Sequence, residues 1–375
     1  MMSQPQYAVR DVEKIASPAL LFFRERIESN LERMIRIAGS PDRLCPHVKT
    51  HKCPNIVQLE LARGIRHHKC ATLAEAVMLA EAGAASVLVA YPLVGPNCRL
   101  FVEMVRRFPK TRFAVIADHP AGLEALSAAA VSLGVQVEVL LDLDVGQHRT
   151  GVPCGETAVS LYEKIPRFPG LVPGGLHAYD GHNQQPDPEE RRRAVAAIVG
   201  ELQGLLEQLH NRRLPVPRIV VGGTPTFACW AAQHLPNLQC SPGTCVLHDA
   251  NYARKFPDLA FTPAALVLTR VVSRPAADRI TLDLGYKAIC ADPPAGQRCV
   301  FPDLPDARQV LHSEEHLVLE TPLAQRYQPG DELLAIPAHV CPTCALHDFA
   351  YVVENGRISG RWEILAHRRL VVLAK

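Results

Sequence analysis

The sequence has 375 residues, 48% of them hydrophobic, with 40 Lys+Arg against 38 Asp+Glu and a formal net charge of +2. A chain of this length exceeds the size at which one core stops growing, so two domains are expected. The charge balance excludes a strongly basic nucleic-acid or anionic-membrane surface, and no apolar run is long enough to span a bilayer.

The opening segment MMSQPQYAVRDVEK (1–14) lacks the basic-then-apolar pattern of a secretory signal. The 12 cysteines are scattered without a disulfide framework, so reduced thiols in a cytoplasmic protein are expected. Ile27, Leu31, Met34, Ile35 and Ala38 recur at helical spacing, with Gly39 as a stop. Thr72 and Glu75 form a capping box ahead of a helix that Gly83 ends. Eight strands are predicted through the first two-thirds: LCPHVK (44–49), IRHHKCA (65–71), SVLVA (86–90), RFAVIA (112–117), VEVLLDLD (137–144), GGLHAYD (174–180), RIVVGG (218–223) and LQCSPG (238–243). Intervals between them hold helices, so the fold class is α/β and eight βα units fit a (β/α)8 TIM barrel. A doubly wound open sheet is the rival arrangement.

After about residue 260 the texture changes to strands separated by Pro and Gly: FTPAALVLTRVVSR, DRITLDLGYKAI, HLVLE, DELLAIPAHV, FAYVVENGRISGRWEIL and RRLVVLAK. Asn355-Gly356 is a hairpin turn signal. The predicted division is a barrel over 17–258 and a mostly antiparallel β domain over 1–16 and 259–375.

In such a barrel, functional groups gather at the C-terminal ends of strands. Lys49 closes the first predicted strand, Arg149 follows DLDVGQH, and Tyr179, Asp180 and His182 close GGLHAYDGH. Gly222, Gly223 and Thr224 end the seventh strand, and Gly243 and Thr244 the eighth. Each glycine pair alone is an ordinary turn. Both together, at the position where barrels bind phosphate, suit an anion, with Pro225 placed for a helix start. A lysine facing a phosphate site is what a pyridoxal phosphate Schiff base requires, provided neighbours lower its pKa; a surface lysine is the plainer reading. His47 and His51 flank Lys49 at i±2 and share its face if the segment is extended; structural roles are the alternative.

PHVKTHK (46–52), DVGQHRTG (144–151), GLHAYDGHNQ (175–184), GGTPT (222–226), SPGT (241–244) and HVCPT (339–343) occur in that order. From about SPALL (17–21) to HVCPTCALHD (339–348), the chain resembles the D-threonine aldolase/D-serine dehydratase family of alanine-racemase-like, fold type III pyridoxal phosphate enzymes. The resemblance implies an N-terminal cofactor-binding barrel, a C-terminal β domain and a homodimer. It implies that Lys49 carries pyridoxal phosphate, that Arg149 and Tyr179 flank the ring, and that Gly222, Gly223, Thr224, Gly243 and Thr244 hold the phosphate. His339 and Cys341 match two ligands of a divalent metal, Zn²⁺ first and Mn²⁺ or Mg²⁺ after it. An imidazole and a thiolate at i, i+2 point the same way from an extended segment and suit Zn²⁺. Cys341 and Cys344 also form a CxxC, but no second CxxC completes a four-cysteine site. The sequence departs from the family at Cys45, where arginine is common.

The implied substrate is a small D-β-hydroxy amino acid, with no nucleic-acid or membrane partner. The main expectation is retro-aldol cleavage to glycine and an aldehyde, with His182 or metal-bound water as the base. The alternative is β-elimination, which turns D-serine into pyruvate and ammonia. An amino-acid racemase and a non-catalytic pyridoxal phosphate-binding protein are further readings. His67-His68 receives no role, His248-Asp249 and the two Trp read as structural, and Glu189–Arg193 reads as a solvated helix start.

Overall fold

The computed structural model describes residues 7–369 and Val371. Most of the strand predicted at RRLVVLAK (368–375) lies outside them. The chain divides into two compact units: Met1–Arg33 with Thr50–Asn55 and Thr244–His367, and Met34–Lys49 with Ile56–Gly243 and Arg368–Lys375. β1 (Ala19–Phe23) belongs to the first of these.

The other unit is the barrel. Its strands are β2 (His67–Cys70), β3 (Ser86–Val89), β4 (Arg112–Ala117), β5 (Val137–Asp144), β6 (Val152–Pro153), β7 (Leu171–Ala178), β8 (Ile219–Val221) and β9 (Leu238–Cys240). They pair in parallel in the order β2-β3-β4-β5-β7-β8-β9, with the short β6 beside β5. Residues 44–47 close the ring. Leu44 bridges Cys240 and His47 bridges Lys69. The Cys45 N–H donates to Cys240 C=O at 2.8 Å, and the Lys69 N–H to Pro46 C=O at 2.9 Å. The eighth position is therefore two bridges rather than the predicted strand over 44–49. Pro46 has no N–H to donate, which interrupts a regular ladder. The chain then turns into a 3-10 helix at Val48–Thr50.

Barrel strands buried on both faces read as near-continuous apolar runs, as in the fully buried Ser86–Val89. Cys45, Leu88, Ala114, Ile116, Leu140 and Val220 form a packed cluster from these strands. Thr72 caps the helix as predicted: its Oγ1 accepts from the Glu75 N–H, while the Glu75 carboxylate accepts from the Ala71 N–H, one residue before the cap.

The β unit continues with β10 (Ala265–Ala276), β11 (Arg279–Leu282), β12 (Cys299–Val300), β13 (Arg308–His312), β14 (Leu317–Glu320), β15 (Glu332–Pro337), β16 (Phe349–Glu354) and β17 (Arg357–Glu363). The strand order is β13-β14-β11-β10-β1-β16-β17, with β15 joining β10 to β12. All these pairs are antiparallel except β1 with β16. Every residue of β1 is buried, as suits a central strand. Leu21, Phe23, Leu266, Leu268, Leu334 and Ile336 pack in one core around it. Asn355 and Gly356 take φ of 50° and 69°, the left-handed turn their dipeptide predicts. No helix among the described residues is long and apolar enough to cross a membrane.

Candidate active site

The residues singled out in the sequence fall in both units. In the barrel unit, Lys49 is exposed, and its N–H donates to His47 Nδ1 at 3.3 Å. His47 thus bends back on the Lys49 backbone. The face-sharing arrangement predicted for an extended segment does not form, because 48–50 is helical. His51 Nδ1 similarly accepts the Cys53 N–H at 3.1 Å.

Tyr179 follows β7, and its ring meets two of the predicted groups. The Arg149 guanidinium lies 5.1 Å from its centroid. A Cβ on Gly223 would stand 3.0 Å from Tyr179 Cε2, so the missing side chain lets the ring rest on the turn. Gly222 has φ +77°, and a Cβ there would meet Trp230 Cδ1 at 2.6 Å. The second turn meets the first where the Gly243 N–H donates to Thr224 Oγ1 at 3.3 Å. Pro225 does not begin a helix as predicted. The helix is only Phe227–Ala231, with no side-chain cap from Thr226 before it, so any anion affinity rests on turn N–H groups rather than a helix end.

Carboxylates brace these loops, Asp142 and Asp180 buried and Asp118 and Asp144 half-buried. Asp180 accepts from Thr226 Oγ1 and Trp230 Nε1, both at 2.9 Å, tying the end of β7 to the GGT turn. Burial raises the Asp180 pKa, opposed by those donors. Asp142 pairs with His177 Nδ1 at 2.6 Å and accepts from Thr150 Oγ1 at 2.8 Å. Asp144 accepts the Gly146 and His148 N–H groups, and Asp118 accepts that of Gly151. Arg149 thus stands on a loop pinned at both ends. The exposed His182 lies over Gly146, where a Cβ would meet its Nε2 at 2.8 Å.

In the β unit, His339 and Cys341 do not lie on an extended strand. His339 is the extended cap of the helix Val340–Ala345, and Cys341 is inside that helix. The predicted pair nonetheless meets. His339 is pushed up to about 9: burial opposes this, but contact with Cys341 and then Asp292 outweighs it. Asp292 Oδ2 lies 2.5 Å from His339 Nδ1. A ring held between a carboxylate and a sulfur favours positive charge, and a carboxylate on one nitrogen orients the other for ligation. Cys341 Sγ lies 3.3 Å from Thr50 Oγ1 and 3.9 Å from Thr244 Oγ1. Among the described residues, no three His, Cys, Asp or Glu side chains converge on one point. The donor set fits an open two-ligand site rather than a closed four-ligand one.

His248 and Asp249 are structural, as read. Asp249 caps the helix Ala250–Lys255 and accepts the Tyr252 and Val340 N–H groups. Cys45 is a buried member of the barrel cluster, its thiol pushed up to about 11 by burial. Sequence reasoning missed Asp142, His177, Asp292, Ser241 and Lys69. The one signal for Lys69 was a lysine inside a short barrel strand.

Residues 24–249 match the family "Alanine racemase, N-terminal domain", and residues 264–353 match the "Putative serine dehydratase domain" family. The chain is 32% identical to D-threonine aldolase of Arthrobacter sp., covering 94% of this chain and 93% of that protein. It is 27% identical to D-threo-3-hydroxyaspartate dehydratase of Delftia sp., covering 88% and 92%. The crystal structure of D-threonine aldolase from Filomicrobium marinum superposes with a TM-score of 0.89 at 29% identity, over 97% of this chain and 99% of that one.

Proposed function

We propose, on the premise that this chain belongs to the alanine racemase N-terminal domain family, that it is a pyridoxal phosphate-dependent lyase of D-β-hydroxy amino acids whose main reaction is retro-aldol cleavage. The observation that carries the reading is end-to-end similarity to a D-threonine aldolase in a chain that keeps a lysine at the barrel's closing segment and two glycine turns at the ends of β8 and β9. Bound pyridoxal phosphate supplies an aldehyde for the substrate amine and a sink for the electron pair left on Cα.

Lys49 is the amine we assign to holding the cofactor. Its exposure at the end of the closing segment leaves it accessible. Gly222, Gly223, Thr224, Gly243 and Thr244 are assigned to hold the phosphate through backbone N–H and hydroxyl groups. Tyr179, resting on Gly223 and beside Arg149, is assigned to flank the ring. His182 is assigned to take the proton from the β-hydroxyl as the Cα–Cβ bond breaks, and Lys49 to return a proton to Cα of the departing glycine. His339 and Cys341 are assigned to hold a divalent ion, with Zn²⁺ suited to this imidazole–thiolate pair. Such an ion would lower the pKa of a hydroxyl it binds.

β-Elimination is the second reading. It is favoured by the serine dehydratase domain match over 264–353 and by the similarity to a dehydratase. Incubation with D-threonine and D-serine, with and without chelator, separates the two. Glycine plus acetaldehyde from D-threonine, lost on chelation, is the expected result. Pyruvate from D-serine as the sole product transfers the assignment to elimination. Chelator-insensitive exchange of L and D forms overturns both.

A further inference from the structure

Lys69 is conspicuous for the partners it lacks. It sits on β2 at 3% exposure. Its ammonium donates to Ser241 Oγ at 2.9 Å, and that neutral hydroxyl is its sole hydrogen-bond partner among the described residues. An ammonium has three N–H donors, and burying one with a single neutral partner is costly. The carboxylates that act on it are committed elsewhere: Asp142 to His177 and Thr150, Asp180 to Thr226 and Trp230. The Cys45 thiol, pushed up to about 11, is neutral at physiological pH and gives no counter-charge.

The place of this charge is informative. Ser241 opens the SPGT turn, and its Oγ lies 3.0 Å from Val221 C=O and 2.9 Å from Gly222 C=O. A hydroxyl has one proton, so it gives that proton to the GGT turn and accepts one from Lys69. The Lys69 ammonium also lies 5.4 Å from the Tyr179 ring centroid. An uncompensated cation therefore sits where the two glycine turns and the aromatic ring meet.

We propose that Lys69 is a second lysine of the cofactor site, one that does not condense with the aldehyde but supplies the buried counter-charge for anionic pyridoxal phosphate. This rests on the functional reading above. Lys69 is pushed down to about 8, first by burial, with the Lys49 charge acting in the same direction. That is the behaviour of a cation short of an anion, and an arriving anion reverses it.

The test pairs Lys69→Met with Lys69→Gln. Methionine keeps length and removes the charge, whereas glutamine also keeps a donor for Ser241. Because an uncompensated buried charge is replaced, both apo variants are expected to melt no lower than wild type. Both are expected to bind pyridoxal phosphate at least tenfold more weakly in equilibrium dialysis, with a shifted visible band. Wild-type affinity in both variants overturns the proposal. So does an apo Tm that falls in Lys69→Met and recovers, with affinity, in Lys69→Gln, since the lysine is then a structural donor. A wild-type protein that takes up no pyridoxal phosphate sinks the functional reading itself, whatever the variants do.

Discussion

The barrel cluster and the β-unit cluster are built differently. At the barrel, Arg149, Tyr179 and the glycine turns follow regular strands while Lys49 follows the bridged closing segment, and carboxylates brace the loops: buried Asp142 and half-buried Asp144 on β5, and buried Asp180 just past β7. In the β unit, His339 and Cys341 share one short helix start, and the carboxylate that orients the imidazole, Asp292, comes from 47 residues away. Pairs in the barrel span comparable lengths of chain, as Asp180 to Trp230, but regular strands place them, whereas a short helix start places His339 and Cys341. The difference also extends to buried histidines. His177 is braced by Asp142 at 2.6 Å. His248 packs against Tyr252 and Phe261, with no hydrogen-bond partner for Nδ1 among the described residues.

Three perturbations sharpen this contrast. The largest effect belongs to the barrel. Lys49→Ala is expected to lower kcat/KM for D-threonine by on the order of 10³-fold or more, because it removes the amine assigned to the covalent bond. An acetaldehyde assay reads it, and a loss under tenfold breaks the assignment.

The next effect belongs to the β unit. Burial lowers His248 to about 4 in the folded state, against about 6.5 for an unperturbed histidine. Between those values the unfolded chain binds the extra proton and the folded chain does not. The stability contribution is therefore complete above pH 6.5 and is lost as pH falls toward 4, by up to about 3 kcal/mol. Thermal melts of wild type and His248→Gln across pH 7 to 4.5 check this. The variant should lose less stability on acidification, and parallel curves contradict the prediction.

The smallest of the three concerns Asp292→Asn, which leaves the fold but weakens the carboxylate's hold on His339. Zn²⁺ affinity by competition titration is expected to fall about 10- to 100-fold, as for partners that orient a ligating histidine. Unchanged affinity means that Asp292 is only a surface partner of the ring.

This contrast also explains what was legible in the sequence. Strands such as RFAVIA (112–117) and VEVLLDLD (137–144) coincide with β4 and β5, because their apolar runs bury both faces. The segment 44–49 misled because its composition is strand-like while Pro46 denies the ladder a donor. β1 reads as one more apolar run, and nothing local in SPALLFF indicates that its partners are β10 and β16, more than 240 residues away. Motif order pointed to Arg149, Tyr179 and the glycine turns as candidates. It missed Lys69 and Asp292, whose significance lies in partners distant in the chain, Ser241 and His339.

The most direct test of the account is borohydride reduction of the protein loaded with pyridoxal phosphate, followed by peptide mapping. The account predicts a pyridoxyl group on Lys49 and an unmodified Lys69. A label on Lys69, on another lysine, or on none contradicts it.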